Sequence, residues 1–528
     1  MHLKGANINE AIPSFSFETS VLKLMLEGME CNANRVAQIE DSTGKKFTFA
    51  DILAQSKAIS TGLRQTGISP GDYVVLCCRK SCLAFALELG VMFTGAIPVL
   101  IHITSASEIH KYTSKHYIKA IFCDTTDVQL VDQSITEMNP KPILVATIDV
   151  NHSIMKTLLS SSGKFSVYEV TDIKKKVVLV LFTSGTTSTP KGVQITDLGL
   201  QRNASSAKGA TVRVKSHLLT SPFSGVSCTI SLVSSLLKGY CLVLSEAKDP
   251  ASQFKAIEKY KVNSWTVQSS ILNLYVKEPT LASVDLSALT LVVVAGAVAR
   301  KRTINEFVSQ VLKGRIGVYV LYAMTETGFI TTWNKHNLLD LSKADSSGYL
   351  APGVEVKITD EEGRLVEPGS IGEVRARTLS TTLGYWGQPE LDAQSFDSDG
   401  FFKTGDVGYF DSEGFLYIFG RVGEIITLGE SKVSISEIED LLKTHSKVID
   451  VGVVAKPMSD SYKLIVFIVV KSGCQVSGTE ISEYLSEQAG VALGLEVHEV
   501  ETIPKSPNSM FIKVNREKLL SMADKLYT

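Results

Sequence analysis

The sequence of 528 residues lacks a strong excess of charge of either sign. It contains 53 lysine and arginine residues against 55 aspartate and glutamate residues, for a formal net charge of −2. Proteins that bind nucleic acid or anionic membranes through general electrostatics carry a marked positive excess. The balance of charge therefore argues against both classes of partner.

The sequence also lacks a pattern of cysteine and histidine that would predict a metal site. The eight cysteines are scattered, with no histidine close by in sequence to complete a zinc site. The nine histidines fall in no ligand pattern and in no catalytic-triad pattern. Disulfide frameworks are typical of short secreted chains, so we expect free, mostly buried thiols in a reducing compartment.

A long uninterrupted apolar run is missing as well. The longest apolar stretch, Leu83–Ile103, contains Glu88 and Pro98, which favours a helix leading into a strand over a membrane span. The first residues show no basic-then-apolar signal pattern, and the last four, Lys525-Leu526-Tyr527-Thr528, are not a Ser-Lys-Leu-type peroxisomal signal. We therefore expect no transmembrane segment and a cytoplasmic location, with another organelle left open.

The most informative segment that is present is Leu181–Val193, which reads LFTSGTTSTPKGV. It overlaps the end of the apolar run Val177–Phe182, which predicts a buried strand. Small residues let successive backbone N–H groups turn toward one anion, hydroxyls add donors, and a lysine adds positive charge. The loop differs from the Walker loop because Pro190 precedes its lysine and Gly192 follows it. A flexible linker is the alternative, but linkers do not usually follow a buried strand and close on Pro-Lys-Gly. We predict that the following residues bind a polyphosphate: Thr183, Ser184, Gly185, Thr186, Thr187 and Lys191.

This loop resembles the signature of the adenylate-forming superfamily. The superfamily includes acyl-CoA synthetases, 4-coumarate-CoA ligases, insect luciferases and the adenylation domains of peptide synthetases. Any one further motif is weak evidence, but several follow in family order over most of the chain. These motifs are Phe47-Thr48-Phe49-Ala50-Asp51, Gly71-Asp72, Gly95-Ala96-Ile97-Pro98-Val99, Ala295-Gly296-Ala297, Tyr322-Ala323-Met324-Thr325-Glu326, Thr404-Gly405-Asp406 and Gly420-Arg421.

The resemblance implies an enzyme in which a carboxylate attacks the α-phosphate of ATP, giving acyl-AMP and pyrophosphate. A carboxylate and a triphosphate repel one another, so the site must supply positive charge and a metal ion. By this resemblance, Glu326 binds Mg²⁺, for which carboxylate oxygens are suitable ligands. The other residues that the resemblance implies are Thr325 at the α-phosphate, Ala295, Gly296, Ala297 and a stacking Tyr322 at the adenine, and Asp406 and Arg421 at the ribose.

The periodicity of the sequence predicts more than one domain. From about residue 47 to 340, helical patterns alternate with short apolar runs, which predicts α/β layers with largely parallel sheets. From 348 to 420, crowded turn signals predict antiparallel hairpins in a small barrel-like or distorted sheet. After Arg421 a small α+β lobe is predicted, with a helix opened by a capping box of Ser434 and Glu437. We therefore predict an AMP-binding N-terminal domain over 1–420 and a C-terminal domain over 421–528, which the resemblance makes mobile.

Several positions depart from the family pattern. Asp197 stands where many members have a histidine. Gly423 stands at the family's hinge, which usually carries Asp or Lys, and glycine accepts φ of either sign. Counted without gaps from Arg421, Glu430 falls where the family has a glycine beside the pantetheine tunnel, although a shifted loop would place Gly429 there.

The adenylation lysine of the family depends on the alignment chosen near the C-terminus. An ungapped alignment places Met510 at the lysine, and methionine carries no charge. A three-residue insertion places Lys513 there and reproduces the family's Lys-Ile-x-Arg-x-x-Leu pattern as Lys513-Val514-x-Arg516-x-x-Leu519. We therefore predict Lys513 as the catalytic lysine.

The leading expectation is an ATP-dependent acid–thiol ligase of the acyl-CoA synthetase type, acting on a fatty or aryl acid. It would use ATP, Mg²⁺ and coenzyme A. The region Pro222–Gly225 lacks the Phe-Asp pair with which amino-acid-activating domains bind an α-amine, which argues against an α-amino acid. Two alternatives stay open: a catalytically weakened relative with a binding or regulatory role, and an adenylase that does not use coenzyme A.

Overall fold

A computed structural model describes residues 1–6, 17–103, 105–183, 190–206, 213–298, 300–332, 341–428, 431–457, 462–489, 495–505 and 514–526. The described α-helices are Val21–Cys31, Phe49–Gln65, Cys82–Thr94, Ala106–Thr113, Val128–Thr136, Ser153–Ser160, Asp197–Ser206, Val226–Lys238, Pro250–Tyr260, Leu272–Val276, Lys301–Glu306, Pro389–Ser395, Ile435–Lys443, Gly478–Ala489 and Arg516–Asp524.

Two large sheets, each mostly parallel with one antiparallel edge pair, form the body of the N-terminal domain. A six-stranded sheet has the order Leu144–Thr147, Ile118–Cys123, Tyr73–Cys77, Ile97–Leu100, Val177–Thr183 and Lys191–Thr196. A seven-stranded sheet has the order Gly317–Val320, Leu291–Ala295, Ser264–Gln268, Ser216–Leu219, Cys241–Leu244, Val36–Glu40 and Lys46–Thr48. The predicted alternation of helices and buried strands is confirmed.

One apolar core joins the two sheets through helices that lie between them. Phe49–Gln65, Cys82–Thr94 and Val226–Lys238 contribute residues to this core, together with strand residues of both sheets. Cys82–Thr94 is buried on almost every side, which explains why its sequence is apolar all round. Separate cores cover the outer face of each sheet, so the layers alternate helix, sheet, helix, sheet, helix.

The predicted antiparallel region is confirmed as a sheet, and of the two predicted shapes, barrel-like or distorted sheet, its described strands form an open sheet without closing into a barrel. Its order is His2–Lys4, Glu355–Thr359, Gly372–Arg377, Phe402–Phe410 and Leu416–Arg421, and among the described residues the two outer strands do not pair with each other. Alternating strands between tight turns occur in open sheets and in barrels alike, so the sequence pattern does not distinguish them. The strand at the start of the chain was not expected in this sheet.

The residues after the open sheet form a small lobe with its own cores. A hairpin of Ile425–Leu428 and Ser431–Ser434 precedes a three-stranded sheet made of Val448–Pro457, Tyr462–Val470 and Leu495–Glu499. The predicted capping box is not formed. Ser434 is the N-cap residue of Ile435–Lys443, but its hydroxyl lies 2.8 Å from that of Ser436 and makes no capping hydrogen bond. The boundary at residue 421 and the mobility of the lobe stay predictions.

The structure also describes the cysteines and the length and polarity of the helices. All eight cysteines lie in the described part of the chain as free thiols, and only Cys31 is exposed. Among the described residues, every helix is too short or too polar to cross a bilayer.

Candidate functional site

The strand hairpin that carries the predicted phosphate-binding loop closes one edge of the six-stranded sheet. Val177–Thr183 and Lys191–Thr196 pair antiparallel, and Thr183 lies opposite Lys191. The candidate loop residues Ser184, Gly185, Thr186 and Thr187 lie outside the described residues. The hairpin therefore fixes both ends of the candidate loop at the end of a buried strand.

A short segment of the chain, residues 382–388, runs along the hairpin and holds it from one side. Trp386 donates its backbone N–H to the carbonyl of Gly192 at 2.7 Å, and Tyr385 forms an isolated antiparallel bridge with Val193. Thr382 donates its hydroxyl to the carbonyl of Gln194 at 2.8 Å. We call residues 382–388 the bracing segment.

Glu326 is held by the bracing segment at both its backbone and its side chain. The Tyr385 hydroxyl donates to Glu326 Oε1 at 3.1 Å, and the backbone N–H of Thr382 donates to the Glu326 carbonyl at 2.7 Å. Glu326 is 7% exposed, and its neighbour Thr325 is 9% exposed. Burial raises the pKa of the Glu326 carboxyl, an effect that the Tyr385 hydrogen bond and the charges of Arg421 and Lys191 offset only in part.

The predicted ribose residues meet the predicted adenine residue in one buried polar cluster. Asp406 and Arg421 lie opposite each other on neighbouring strands of the open sheet. Arg421 Nε lies 3.0 Å from Asp406 Oδ1, while the Tyr322 hydroxyl donates to Asp406 Oδ2 at 2.6 Å. Burial and the negative charge of Asp406 raise the pKa of Tyr322 well above its ordinary value, so the phenol stays a donor. Each carboxylate oxygen has two lone pairs, so Asp406 retains acceptor capacity beyond these two contacts.

The small residues predicted to approach the adenine lie at the carboxyl end of a strand in the seven-stranded sheet. Ala295 ends the strand Leu291–Ala295, and Gly296 follows with φ of +99°, a left-handed conformation that favours glycine. Ala297 accepts a hydrogen bond from the Ser269 hydroxyl at 2.8 Å. Tyr322 follows the neighbouring strand, so both groups lie at the edge where ligands bind in open α/β sheets.

These contacts bring the candidate residues to the junction of three sheets. The six-stranded sheet supplies Lys191, the seven-stranded sheet supplies Ala295 and Tyr322, and the open sheet supplies Asp406 and Arg421. Asp406, Tyr322 and Glu326 all raise the pKa of Arg421, although burial opposes its charge. Glu326 thus lies close enough to both Arg421 and Lys191 for their charges to influence its carboxyl.

The residues at the junction fit a nucleotide phosphate with a divalent cation. Mg²⁺ typically takes one or two protein carboxylates and completes its shell with phosphate oxygens and water. Glu326 supplies one such buried carboxylate. Within the described ranges no group of three or more histidine, cysteine, aspartate or glutamate side chains is placed to hold a metal ion without other ligands. The arrangement suits a cation that arrives with a phosphate ligand.

The sequence model for AMP-binding enzymes matches residues 27–386. The chain belongs to the AMP-binding enzyme family. The match includes the hairpin with Lys191, the Ala295–Ala297 segment and Glu326, and it ends at Trp386 of the bracing segment. Family membership confirms the resemblance to adenylate-forming enzymes.

Relatives and solved structures match nearly the whole chain. The 4-coumarate-CoA ligase 1 of Narcissus pseudonarcissus is 27% identical over 502 residues, covering 91% of this chain and 90% of the relative. ATP-bound MatB from Rhodopseudomonas palustris gives a TM-score of 0.85 at 20% identity, covering 97% of this chain and 100% of that chain. The anthranilate CoA ligase AuaEII, solved with anthranoyl-AMP, also gives 0.85 at 20% identity, covering 97% and 98% of the two chains. The structural likeness confirms the predicted fold of an N-terminal α/β body with a small C-terminal domain.

The hinge predicted for this AMP-binding enzyme lies in a short 3₁₀ turn, Val422–Glu424. Gly423 is exposed there, its φ is not in the left-handed region, and a Cβ would meet nothing within 4 Å. The turn is fixed on both sides: Arg421 donates to the Thr404 carbonyl at 2.9 Å, and Glu424 lies 3.4 Å from Arg516. The role of Gly423 as the hinge stays a prediction.

Two predicted features of the C-terminal lobe lie outside the described residues. These are Lys513 and the Gly429-Glu430 pair. The backbone just beyond is described: Lys505 and Val514 form an antiparallel bridge, and Asn515 donates to the Pro504 carbonyl at 2.8 Å. The roles of Lys513 and Glu430 stay predictions.

Sequence reasoning missed the bracing segment. Tyr385 and Thr382 belong to no motif recognised in the sequence, yet they hold Glu326 and the hairpin. The usable signal was Gly384-Tyr385-Trp386, a glycine followed by two large aromatic residues within a turn-rich region. Aromatic residues of that size are seldom left exposed, so their burial against another element was predictable, although the element itself was not.

Proposed function

We propose that this AMP-binding enzyme is an ATP-dependent acid–thiol ligase that forms an acyl-AMP and then transfers the acyl group to coenzyme A. The observation that carries the proposal is the junction of three sheets, where Lys191, Glu326, Tyr322, Asp406 and Arg421 share one site. A cationic side chain suits the phosphates, a buried carboxylate suits the metal ion, and a diol acceptor suits the ribose. Placed together, these groups suit a nucleoside triphosphate bound with a metal ion.

The phosphate side of the site supplies charge and position for the first half-reaction. Lys191 and the hydroxyls that follow Thr183 would hold the β- and γ-phosphates, and Thr325 would contact the α-phosphate. Glu326 would hold Mg²⁺, which neutralises the developing charge of the triphosphate when it is bound. Lys513 would neutralise the acyl carboxylate and the α-phosphate as they approach. Fixed positive charge at this point lowers the barrier because the two reactants repel each other.

The nucleoside side of the site would recognise adenosine. Ala295, Gly296 and Ala297 would allow a flat base to approach the strand end, with Tyr322 against it. Asp406 would accept the ribose hydroxyls while Arg421 and Tyr322 hold its carboxylate in place.

Coenzyme A as acceptor and a fatty or aryl acid as substrate rest on the relatives. The matched relative is a 4-coumarate-CoA ligase, and one matched structure is an anthranilate CoA ligase. Both names describe acids activated to coenzyme A thioesters. Because the relatives are only 20–27% identical to this chain, the choice of acid is determined by experiment.

The test measures the two half-reactions separately over a panel of short-, medium- and long-chain fatty acids, aryl acids and α-amino acids. We expect acid-dependent ATP–pyrophosphate exchange with a fatty or aryl acid and none with an α-amino acid. With the same acid, sustained release of AMP should require coenzyme A. Absence of exchange with every acid, in a protein that still binds ATP, would favour a catalytically weakened relative.

One alternative acceptor is motivated by the sequence. Glu430, counted without gaps, would crowd the path of the pantetheine thiol. An adenylase without coenzyme A would show acid-dependent exchange, but its AMP release would be unchanged by coenzyme A. Glu430→Gly distinguishes the cases: if the carboxylate lines the tunnel, coenzyme A-dependent release rises while exchange stays constant.

A further inference from the structure

Tyr385 occupies a position between the two charged groups on the phosphate side of the site. Its hydroxyl donates to Glu326 Oε1 at 3.1 Å, and the centroid of its ring lies 5.6 Å from the Lys191 ammonium. A cation within about 6 Å of an aromatic ring is attracted by the negative face of the ring. One side chain thus contacts both the carboxylate and the lysine.

Tyr385 is itself held firmly. It is 4% exposed, and its ring packs edge-on against Phe402 with centroids 6.5 Å apart. Its backbone N–H donates to Asp392 Oδ1 at 2.6 Å, and its backbone bridges to Val193. A side chain with so little freedom fixes the groups that it contacts.

The same bracing segment also forms a hydrogen bond with the backbone of Glu326. Thr382 donates its N–H to the Glu326 carbonyl, and the Thr382 hydroxyl donates to Gln194 on the hairpin that carries Lys191. Glu326 is therefore restrained at its main chain and at its carboxylate by residues three apart. The distance between Glu326 and the hairpin is set by this segment.

We propose that Tyr385 is a positioning residue that orients the Glu326 carboxylate toward the divalent cation and holds it at a fixed distance from Lys191. The proposal rests on the proposed function only in taking Glu326 as the cation ligand. Because the Tyr385 hydroxyl uses Oε1, the second oxygen, Oε2, is the one we assign to the cation. Groups that orient a metal ligand typically change metal affinity by about 10- to 100-fold when removed.

The experiment uses Tyr385→Phe, which keeps the ring and removes only the hydroxyl. Thermal unfolding of the full chain is followed with ATP and increasing Mn²⁺, and binding of Mn²⁺ to the ATP-loaded protein is measured by electron paramagnetic resonance. We expect the Mn²⁺ concentration for half-maximal stabilisation to rise about 10- to 100-fold. Binding of ATP with excess chelator should be unchanged, since the ring still faces Lys191.

Two further variants separate positioning from general damage. Tyr275→Phe removes another buried hydroxyl, which donates to Gln253 Oε1 at 2.8 Å in a separate core, and its Mn²⁺ requirement should match the unsubstituted protein. Tyr385→Leu removes the ring as well and should also weaken ATP binding without metal. In activity assays, Tyr385→Phe should recover most of its rate at high Mg²⁺, whereas Tyr385→Leu should not.

The results distinguish this inference from the proposed function. An unchanged Mn²⁺ requirement in Tyr385→Phe, with ATP still stabilising the protein, overturns the positioning role alone. If ATP fails to stabilise even the unsubstituted protein with or without Mn²⁺, the proposed nucleotide site itself is refuted. A raised Mn²⁺ requirement in Tyr275→Phe as well would show that the effect is general, which also overturns the inference.

Discussion

At the scale of single residues, the site depends on buried charges that restrain one another. Asp406 receives donors on both oxygens, from Tyr322 and Arg421, and Thr404 accepts from the backbone of Asp406 at 3.0 Å. Burying an unpaired carboxylate is costly, and these donors offset that cost. In the proposed site, this arrangement orients the Asp406 carboxylate before the ribose binds, which would reduce the entropy lost on binding.

The first residue-scale prediction concerns Lys191. Lys191→Ala should weaken ATP binding or slow ATP–pyrophosphate exchange by about 10- to 150-fold, because a charged hydrogen bond contributes about 1.5–3 kcal/mol. The fold should survive, since the lysine lies at the end of its strand. Lys174→Ala, an exposed lysine before the far end of the strand Val177–Thr183, serves as the control and should behave as the parent. Equal exchange rates in the two variants would remove Lys191 from the mechanism.

A second residue-scale prediction concerns Asp197, which stands in place of the family's histidine. It is fully buried and accepts from the Ser20 hydroxyl at 2.6 Å and the Val21 N–H at 2.8 Å. Burial raises its pKa from 3.8 to about 6. The folded state therefore binds a proton more tightly than the unfolded state, and stability from this group falls as the pH rises from about 4 to about 6.

Asp197→Asn should remove this dependence, because an amide can accept from Val21 and donate to Ser20 without a charge. Relative to the parent, the variant should gain about 2–3 kcal/mol in the free energy of unfolding between pH 4 and pH 7. Urea denaturation across this range measures the difference, with Asp132→Asn on an exposed helix as the control. A constant difference between parent and Asp197→Asn would show that Asp197 titrates normally.

At the scale of elements, the hinge turn Val422–Glu424 lies between two anchored side chains. Arg421 pairs with Asp406 at the junction of the three sheets, while Glu424 faces Arg516, which also pairs with Glu439 of the lobe. A change of the turn's dihedral angles would move the lobe relative to Asp406 and Arg421. These contacts define the observed orientation on both sides of Gly423, although a Cβ at Gly423 itself would meet nothing within 4 Å.

The hinge prediction compares two substitutions at Gly423. Gly423→Ala fits the open space and the observed φ, so adenylate formation should continue at the parental rate. Gly423→Pro fixes φ near −65° and should slow one half-reaction far more than the other. The measurement is the ratio of ATP–pyrophosphate exchange to thioester formation from preformed acyl-AMP. A proline variant with both rates intact would place the hinge elsewhere.

At the scale of the whole molecule, the lobe docks on the helix that follows the predicted adenine segment. Arg300 Nε lies 3.4 Å from Asp440 Oδ2, and Arg302 donates to Gln488 at 2.9 Å. Burial raises the pKa of Asp440, against the opposing charge of Arg300. Partly exposed ion pairs contribute little energy, so this interface favours one orientation without locking it.

Arg300→Ala should therefore shift the balance between orientations by a small amount. We expect a change of about 2- to 5-fold in the ratio of the two half-reactions, corresponding to about 0.4–1 kcal/mol. Binding of ATP should stay constant. Small-angle scattering checks the orientation, with the exposed Arg315→Ala as the matched control. Unchanged scattering and an unchanged ratio would exclude this contact as a determinant of orientation.

The last whole-molecule prediction concerns Lys513, the proposed catalytic lysine of the C-terminal domain. Lys513→Ala should lower acyl-AMP formation by about 100- to 1,000-fold, comparable to loss of one transition-state donor. Thioester formation from preformed acyl-AMP should be spared. Lys505→Ala, a nearby lysine paired with Asp450 at 2.6 Å, is the control. Robust acyl-AMP synthesis by Lys513→Ala would favour the weakened-relative alternative.

Several features could be predicted because they depend on residues that are close in sequence. The apolar run Val177–Phe182 predicted a buried strand, and Leu83–Ile103 predicted a helix followed by a strand; both are confirmed. Glycines at the predicted turns, such as Gly400 and Gly414, have left-handed φ. Local periodicity and turn chemistry decide such elements, so one chain suffices to find them.

Other features depend on how the elements pack. The sequence by itself determined the order of the family motifs and the layered α/β class, and it selected Lys191, Glu326 and Asp406 as candidate site residues. Only the tertiary structure decided that the antiparallel sheet stays open. It also decided that Tyr322 meets Asp406 across 84 positions and that Tyr385 meets Glu326 across 59. Alternation of apolar and polar residues predicts which face of a strand is buried, but it does not predict which element packs against that face. A contact between distant residues requires the angles between sheets, which arise when the whole core packs.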